Sequence, residues 1–426
     1  MRRSRTRAIF AVCGMKVCVV GSGGREHAFV ETLSRDAEVI ITPGSLAVPE
    51  STDKPPIEVD ADLFVIGPEI PLVDGLADEL RLRGHKVFGP GSDGALLEGS
   101  KAWMKDVVHA AGVPTARYGS FETSQVDRAI EFLSSMSPPF VIKTDGLAGG
   151  KGVLVTDNYS DAKADIETKL AGLSFGDAGR RVIIEEGLRG PELSLFAICD
   201  GQKAVLVPTS AQDHKRLGNG DLGPNTGGMG CYSPIPEIQR SQLDDLMEIA
   251  VHPTVEELKN RNIDYRGVLF AGFMMTEDGP KLLEFNVRFG DPEAQVILPR
   301  LRGNFAEILM EAAEGNLSTV PTVDDDAMVT VVLASEGYPS KPITGHVILG
   351  VDAALAIDGA SVYFAGVDKN ENGELITNGG RVLNVCGRAS SLEKARAIAY
   401  QAVELISWEG MQYRTDIGAS VQTEID

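Results

Sequence analysis

The sequence predicts a multidomain protein that combines an open parallel α/β sheet with antiparallel α+β units. Three observations predict it. A β-branched run from Met15 to Val20 ends in Gly21-Ser22-Gly23-Gly24 and passes straight into a helical stretch, the opening unit of such a sheet. A second glycine loop, Asp145 to Gly152, lies between two apolar runs instead of before a helix. With 426 residues, the chain exceeds what one hydrophobic core holds, so two to four domains are expected.

Composition narrows the function. Hydrophobic residues at 43% and charged residues at 24% are globular values. No stretch approaches the roughly 20 apolar residues of a membrane span. A net charge of −21, spread along the chain, argues against nucleic acid as a partner but allows a basic pocket for a small phosphorylated ligand. The cysteines, five in all, lack zinc spacing and fit a reduced, cytoplasmic protein. Residues 1–14 carry four arginines and a brief apolar run. They are expected to be an extension, disordered or not native, with the fold opening at Met15.

Further strands are expected at Glu38–Ile41, Asp62–Ile66 and Lys86–Phe88, each ending in a Gly/Pro loop along one sheet edge, where such folds bind ligands. Between Ser45 and Asp62 an extended crossing is expected, because Leu46–Ala61 includes Pro55-Pro56 and is too short for another strand and helix. This makes the N-terminal domain, residues 15–99, a shortened sheet. Residues 100–326 read as helix, then strands and hairpins with one acidic helix near Ser241–Arg261. Residues 327–426 have their own strands and read as a small C-terminal domain.

Four motifs carry chemistry. In the first glycine loop Glu26 stands where a dinucleotide fingerprint needs its third glycine, and Thr42 ends the second strand in place of a ribose-binding carboxylate. What remains is either a tight turn or a set of amides before a helix, suited to an anion. The loop Asp145–Gly152 departs from the Walker pattern at both ends and joins two strands, which suits a flap over phosphates; Lys143 ends the preceding strand. Glu185, Glu186 and Glu192 follow an apolar strand and read either as solvated punctuation or as partners of a base and a ribose. In Leu282–Asp291, strand alternation places Glu284, Asn286 and Arg288 on one face, opposite Phe285 and Val287. Glu284 and Asn286 supply hard oxygens of the kind Mg²⁺ takes, and Arg288 a planar fork for an anion. Gln212–Arg216 and Pro224–Gly230 read as polar substrate loops. No Ser-His-Asp or Cys-His set supports a hydrolase.

The order GSGGREHA, GPEIPLVDG, LEGSKAWMK, KTDGLAGGKGV, VIIEE, SAQDHKR, GPNTGGMG, EFNVRFGDPE and TNGGRVL resembles the phosphoribosylamine–glycine ligase family of the ATP-grasp superfamily. The resemblance runs from Met15 almost to the C-terminus. It implies an ATP-grasp fold with a hairpin-bearing ATP lid at about residues 118–188, a central catalytic domain, and ATP-dependent ligation of glycine to phosphoribosylamine through glycyl phosphate. It implies that Lys101 and Lys143 hold ATP phosphates under a lid segment of Gly149, Gly150, Lys151 and Gly152. Glu185, Glu186 and Leu188 would meet adenine, Glu192 the ribose, and Glu284 and Asn286 would bind Mg²⁺ or Mn²⁺. Arg288 would orient the acyl phosphate. Gly23, Gly24, Glu69, Asp213, Lys215, Asn225, Gly228 and Asp291 would complete the substrate site, with Asp213 and Lys215 close to the chemistry. A monomer or weak homodimer is expected.

Two departures stand out: the N-terminal extension, and the short stretch after Gly44, where Ser45-Leu46 replaces an expected Asn-Ala. The latter leaves the phosphate contacts near Gly44 open. Competing readings are another ATP-grasp ligase, a nicotinamide oxidoreductase built on the first sheet, and a non-catalytic ATP-binding regulator.

Overall fold

The computed structural model describes residues 14–147, 152–173 and 180–419. β1 (Lys16–Gly21), β2 (Glu38–Pro43), β3 (Leu63–Ile66) and β4 (Lys86–Phe88) form a parallel sheet in the order β2-β1-β3-β4. Val17 to Val20 are buried on both faces, which is why these strands read as continuous apolar runs. After β1 comes helix α1 (Gly24–Leu33); α2 (Glu69–Val73) and α3 (Leu76–Leu82) lie between β3 and β4. The stretch between β2 and β3 holds one 3-10 turn, Pro56–Glu58, and one bridge from Ile41 to Ser51, as an extended crossing requires. Helices α4 (Ser92–Gly99) and α5 (Lys101–Ala110) then lead out of this sheet.

A second unit is antiparallel. β5 (Tyr118–Glu122), β6 (Phe140–Thr144), β7 (Val153–Thr156) and β8 (Arg181–Glu186) pair in the order β5-β8-β6-β7. Helices α6 (Val126–Ser134) and α7 (Tyr159–Leu170) pack against it. The unit has its own core, including Phe121, Leu133, Ile142, Ile166 and Ile184.

The largest sheet has eight strands. They include β9 (Glu192–Asp200), β10 (Ala204–Asp213), β13 (Gly230–Ser233), β14 (Arg266–Thr276) and β15 (Gly279–Asn286), with β11 (Arg216–Gly218) and β12 (Leu222–Asn225) as a separate hairpin between β10 and β13. After the ribbon β16 (Leu301–Arg302) and β17 (Thr322–Val323) come β18 (Ala327–Ala334), β19 (Ala360–Phe364), the ribbon β20 (Val367–Lys369) and β21 (Leu375–Thr377), and β22 (Arg381–Ala389). The order β15-β14-β9-β10-β13-β18-β22-β19 carries one sheet from the middle of the chain into its last block, through the β13–β18 pairing. The acidic helix expected near Ser241–Arg261 is two helices, Arg240–Leu246 and His252–Asn260, joined by a π-helical turn. Among the described residues no helix is long and apolar enough to cross a membrane.

Candidate functional site

Lysines and carboxylates converge between the small antiparallel sheet and the large one. Lys143, near the end of β6, is buried and lies 3.0 Å from Glu185 Oε2 of β8. Lys105 of α5 approaches the other oxygen of Glu185 at 3.3 Å, and its Nζ also donates to Thr115 at 2.7 Å. Burial opposes the charge on Lys143, but Glu185 and Glu284 outweigh it and hold the ammonium above its ordinary range. Burial also opposes ionisation of Glu185, and here the two lysines win, so the carboxylate is held below its ordinary range. For Lys105 burial wins, and its ammonium is pushed down to about 8. The Glu185 carboxylate is thus taken by two lysines. Its neighbour Glu186 accepts from the Arg117 amide at 2.9 Å and from Lys281 at 3.3 Å. Among the described residues the Leu188 amide has no acceptor and remains open to a base edge.

Lys101 opens α5 and donates to the Gly146 carbonyl at 3.1 Å. Asp145, which breaks the Walker pattern, accepts from the Ala102 amide at 3.1 Å and from Ser100 Oγ at 3.0 Å. Its carboxylate therefore sits at the positive end of α5 and ties the flap root to that helix. Gly149, Gly150 and Lys151 fall outside the described residues; Gly152 directly precedes β7.

β15 pairs Gly272 with Glu284 and Phe270 with Asn286, so these two side chains share a face as expected, while Phe285 and Val287 enter the core. Arg288 lies beyond the strand end. Burial opposes ionisation of Glu284, and Lys215, Lys143, Lys101 and Arg288 together overcome it, so it stays ionised. Neither Glu284 nor Asn286 makes a side-chain hydrogen bond or ion pair with another described residue. A carboxylate and an amide oxygen, side by side and unclaimed, fit a hard divalent cation that takes its remaining ligands from phosphate and water. No described cluster of three His, Cys, Asp or Glu side chains offers an alternative metal site.

Arg288 is held by two acids: Nη2 donates to Glu98 Oε1 at 2.7 Å and Nε to Glu69 Oε2 at 3.3 Å. Glu98 Oε2 also accepts the Val287 amide at 2.9 Å. Lys215 pairs with Glu192 at 2.8 Å, joining the residue expected at the ribose to one expected at the second substrate. Both side chains remain about two-fifths exposed, so they line open cleft. Burial, then Glu293, push the Asp213 carboxyl well above its ordinary range, and its Oδ1 is buried without a hydrogen-bond partner. Gly228, at φ +109, lets the backbone pass against Asp213 and Pro292; a Cβ there would strike both. Asn225 ends β12 opposite Arg216. Asp291 accepts from Arg381 at 2.8 Å and from Gln295 at 2.6 Å.

An open cavity of about 340 Å³ adjoins this region, where Gly23, Gly44 and Ser45 face Asp291, Asn378 and Arg381. Gly44 thus lines a cavity despite the shortened stretch behind it. The glycine loop is a turn that closes on a side chain of its own helix. Glu26 folds back, accepts the Gly23 amide at 2.7 Å and fills the space that side chains at Gly21 or Gly67 would need. The anion under the loop is the protein's own carboxylate, paired with Arg25 at 2.5 Å. Gly24 packs against Asn384 and Gln295. Sequence reasoning missed Lys105, Glu98, Glu293 and Asp145 as members of the site. The LEGSKAWMK, KTDGLAGGKGV and FGDPE runs, which hold Glu98 and Lys105, Asp145, and Glu293 in turn, were the only hint of them.

Family models for phosphoribosylglycinamide synthetase match residues 15–98 (N domain), 99–294 (ATP-grasp domain) and 328–420 (C domain). The chain is 45% identical over 422 residues to a phosphoribosylamine–glycine ligase of Caulobacter vibrioides, covering 95% of this chain and 98% of that one. It is 43% identical to a chloroplastic one of Arabidopsis thaliana, covering 92% and 78%. The crystal structure of a phosphoribosylamine–glycine ligase from Thermotoga maritima superposes with a TM-score of 0.83 at 34% identity, over 94% of this chain and 99% of that one. A biotin carboxylase domain from Hydrogenobacter thermophilus, in complex with MgADP, shares the fold at a TM-score of 0.72 and 16% identity, covering 94% and 92%.

Proposed function

This chain belongs to the phosphoribosylglycinamide synthetase family, and we propose that the cleft between its sheets holds all three substrates of that family's reaction. The chain is an ADP-forming carbon–nitrogen ligase of purine biosynthesis. It uses ATP to join glycine to phosphoribosylamine, giving glycinamide ribonucleotide, ADP and phosphate.

In our reading Lys101 and Lys143 hold the ATP phosphates, and the β5–β8 unit closes over them as the lid. The backbone of Glu186 and Leu188 meets adenine and Glu192 the ribose. Glu284 and Asn286 would hold Mg²⁺ or Mn²⁺, which when bound neutralises charge on the transferring phosphoryl group. Glycine's carboxylate is a poor electrophile, so its oxygen first attacks the γ-phosphorus, giving glycyl phosphate and ADP. Arg288 orients this acyl phosphate. Phosphoribosylamine lies against Gly23, Gly24, Glu69, Lys215, Asn225 and Gly228, with Asp213 and Asp291 at its amine end. Its nitrogen attacks the activated carbonyl and phosphate leaves. Lid closure keeps water from the intermediate.

The observation that carries this reading is the placing of Glu284 and Asn286 on one strand face, unclaimed by any described side chain, in a cleft that also holds the buried Lys143–Glu185 pair. We further place the enzyme in the cytoplasm, as a monomer or weak homodimer. The test is ADP release with and without glycine and phosphoribosylamine. Turnover that requires both supports the reading; ATP binding without turnover would favour the regulator.

A further inference from the structure

The β11–β12 hairpin carries Lys215 and Asn225 at its base, where the Lys215 carbonyl accepts the Thr226 amide at 2.8 Å. Yet none of its strand residues is buried. An isolated two-stranded hairpin is marginal in water, so apolar packing does not set its position.

Polar contacts from the far end of the chain do. Arg414, only 1% exposed, donates through Nη1 to the Arg216 carbonyl at 3.2 Å and to Asp221 at 2.6 Å. Its Nε and Nη2 reach Asp416 at 2.8 and 2.7 Å, and Asp416 accepts the Gly220 amide at 2.7 Å. Asn219 and Thr415 exchange two further bonds, at 2.9 and 2.7 Å. The segment is itself anchored to the helix Leu392–Val403. Tyr400 donates to the Arg414 carbonyl at 2.9 Å and accepts the Ile417 amide at 3.0 Å; Arg396 donates to the Thr415 carbonyl at 2.8 Å.

We propose that residues 414–417 are a clamp that sets the phosphoribosylamine-binding loop, with Arg414 as its positioning residue. Arg414 touches no substrate; it acts through the hairpin. The inference rests on the reading that Lys215 and Asn225 bind phosphoribosylamine. Lys101, Lys143 and Arg288 lie outside the hairpin and keep their own partners, so the effect falls mainly on phosphoribosylamine.

The test is steady-state kinetics on the full chain. Arg414→Ala should raise KM for phosphoribosylamine about tenfold, as expected for a displaced binding group. KM for ATP and for glycine should stay within about twofold, and added guanidinium should restore part of the loss. Asn219→Ala and Asp221→Asn, both on the surface, should shift KM for phosphoribosylamine in the same direction and keep the fold if Arg414→Ala does not. An unchanged KM for phosphoribosylamine in the folded variants overturns the clamp, as does an equal rise for all three substrates. Lys215→Ala separates the two readings. If it leaves that KM unchanged, the substrate assignment fails; if it raises KM while the clamp variants do not, only the clamp fails.

Discussion

Glu98 grips both the Arg288 guanidinium, at 2.7 Å, and the Val287 amide, at 2.9 Å. One part-buried carboxylate on α4 thereby fixes the direction of an arginine and the end of the strand that bears Glu284 and Asn286. A glutamine has a single acceptor oxygen and must give up one of these bonds. Glu98→Gln is expected to raise KM for glycine about tenfold, the effect of a small misplacement near the reacting atoms. KM for ATP should rise less, because β14 still pairs with the strand that bears Glu284 and Asn286. An unaltered KM for glycine would show that Arg288 needs no such anchor.

Glu284→Ala should lower turnover by about a thousandfold or more, since in the proposed reading it removes an anionic metal ligand at a phosphoryl-transfer centre. The fold should survive, because Lys143 and Lys215 keep Glu185 and Glu192 as partners. Rate assays across a magnesium titration, with a thermal melt alongside, decide the matter. Undiminished turnover would place the metal elsewhere.

Glu185→Ala strands two ammonium groups whose side chains are at most 10% exposed. Breaking a buried pair of this kind costs about 3–5 kcal/mol. Urea denaturation should therefore report a large loss of stability along with weaker ATP binding. A stability loss near zero would mean that water reaches these lysines freely.

His27 predicts a pH dependence of stability. Its Nδ1 accepts the Phe364 amide at 2.9 Å, and burial pushes the imidazole down to about 4. The unfolded side chain, with its ordinary value near 6.5, takes up its proton first as pH falls. Stability from this group is thus complete above about pH 6.5 and is lost as pH drops toward about 4, by at most about 3 kcal/mol. Denaturation midpoints at pH 7 and pH 4.5 should differ less in His27→Gln than in the parent. Equal differences would exclude His27 as the source.

Much of the fold is legible locally. Short β-branched runs ending in Gly/Pro loops announce β1 to β4, and the period of two along β15 places Glu284 and Asn286 on one face. That the loop after Lys143 joins two strands is legible because the apolar run Val153–Val155 follows Gly152. What escapes is set by contacts distant in sequence. Glu98 meets Arg288 across 190 residues, and no periodicity near Glu98 encodes that meeting. Asp145 looks like a flaw in a phosphate loop until α5 is placed behind it. Glu26 stands in the place of a fingerprint glycine, and its side chain fills the space that side chains at Gly21 and Gly67 would need. The division of Glu185 between two lysines was equally hidden, since an apolar strand ending in Glu-Glu says nothing of what faces it.

The β13–β18 pairing has a consequence for anyone trimming the protein. A fragment ending before Ala327 would leave the backbone of Gly230–Ser233 without its neighbour, on a strand buried throughout. Such a bare edge recruits other chains and invites aggregation. The last hundred residues therefore act as a built-in guard against self-association, and excising them should produce a sticky fragment in place of a smaller enzyme.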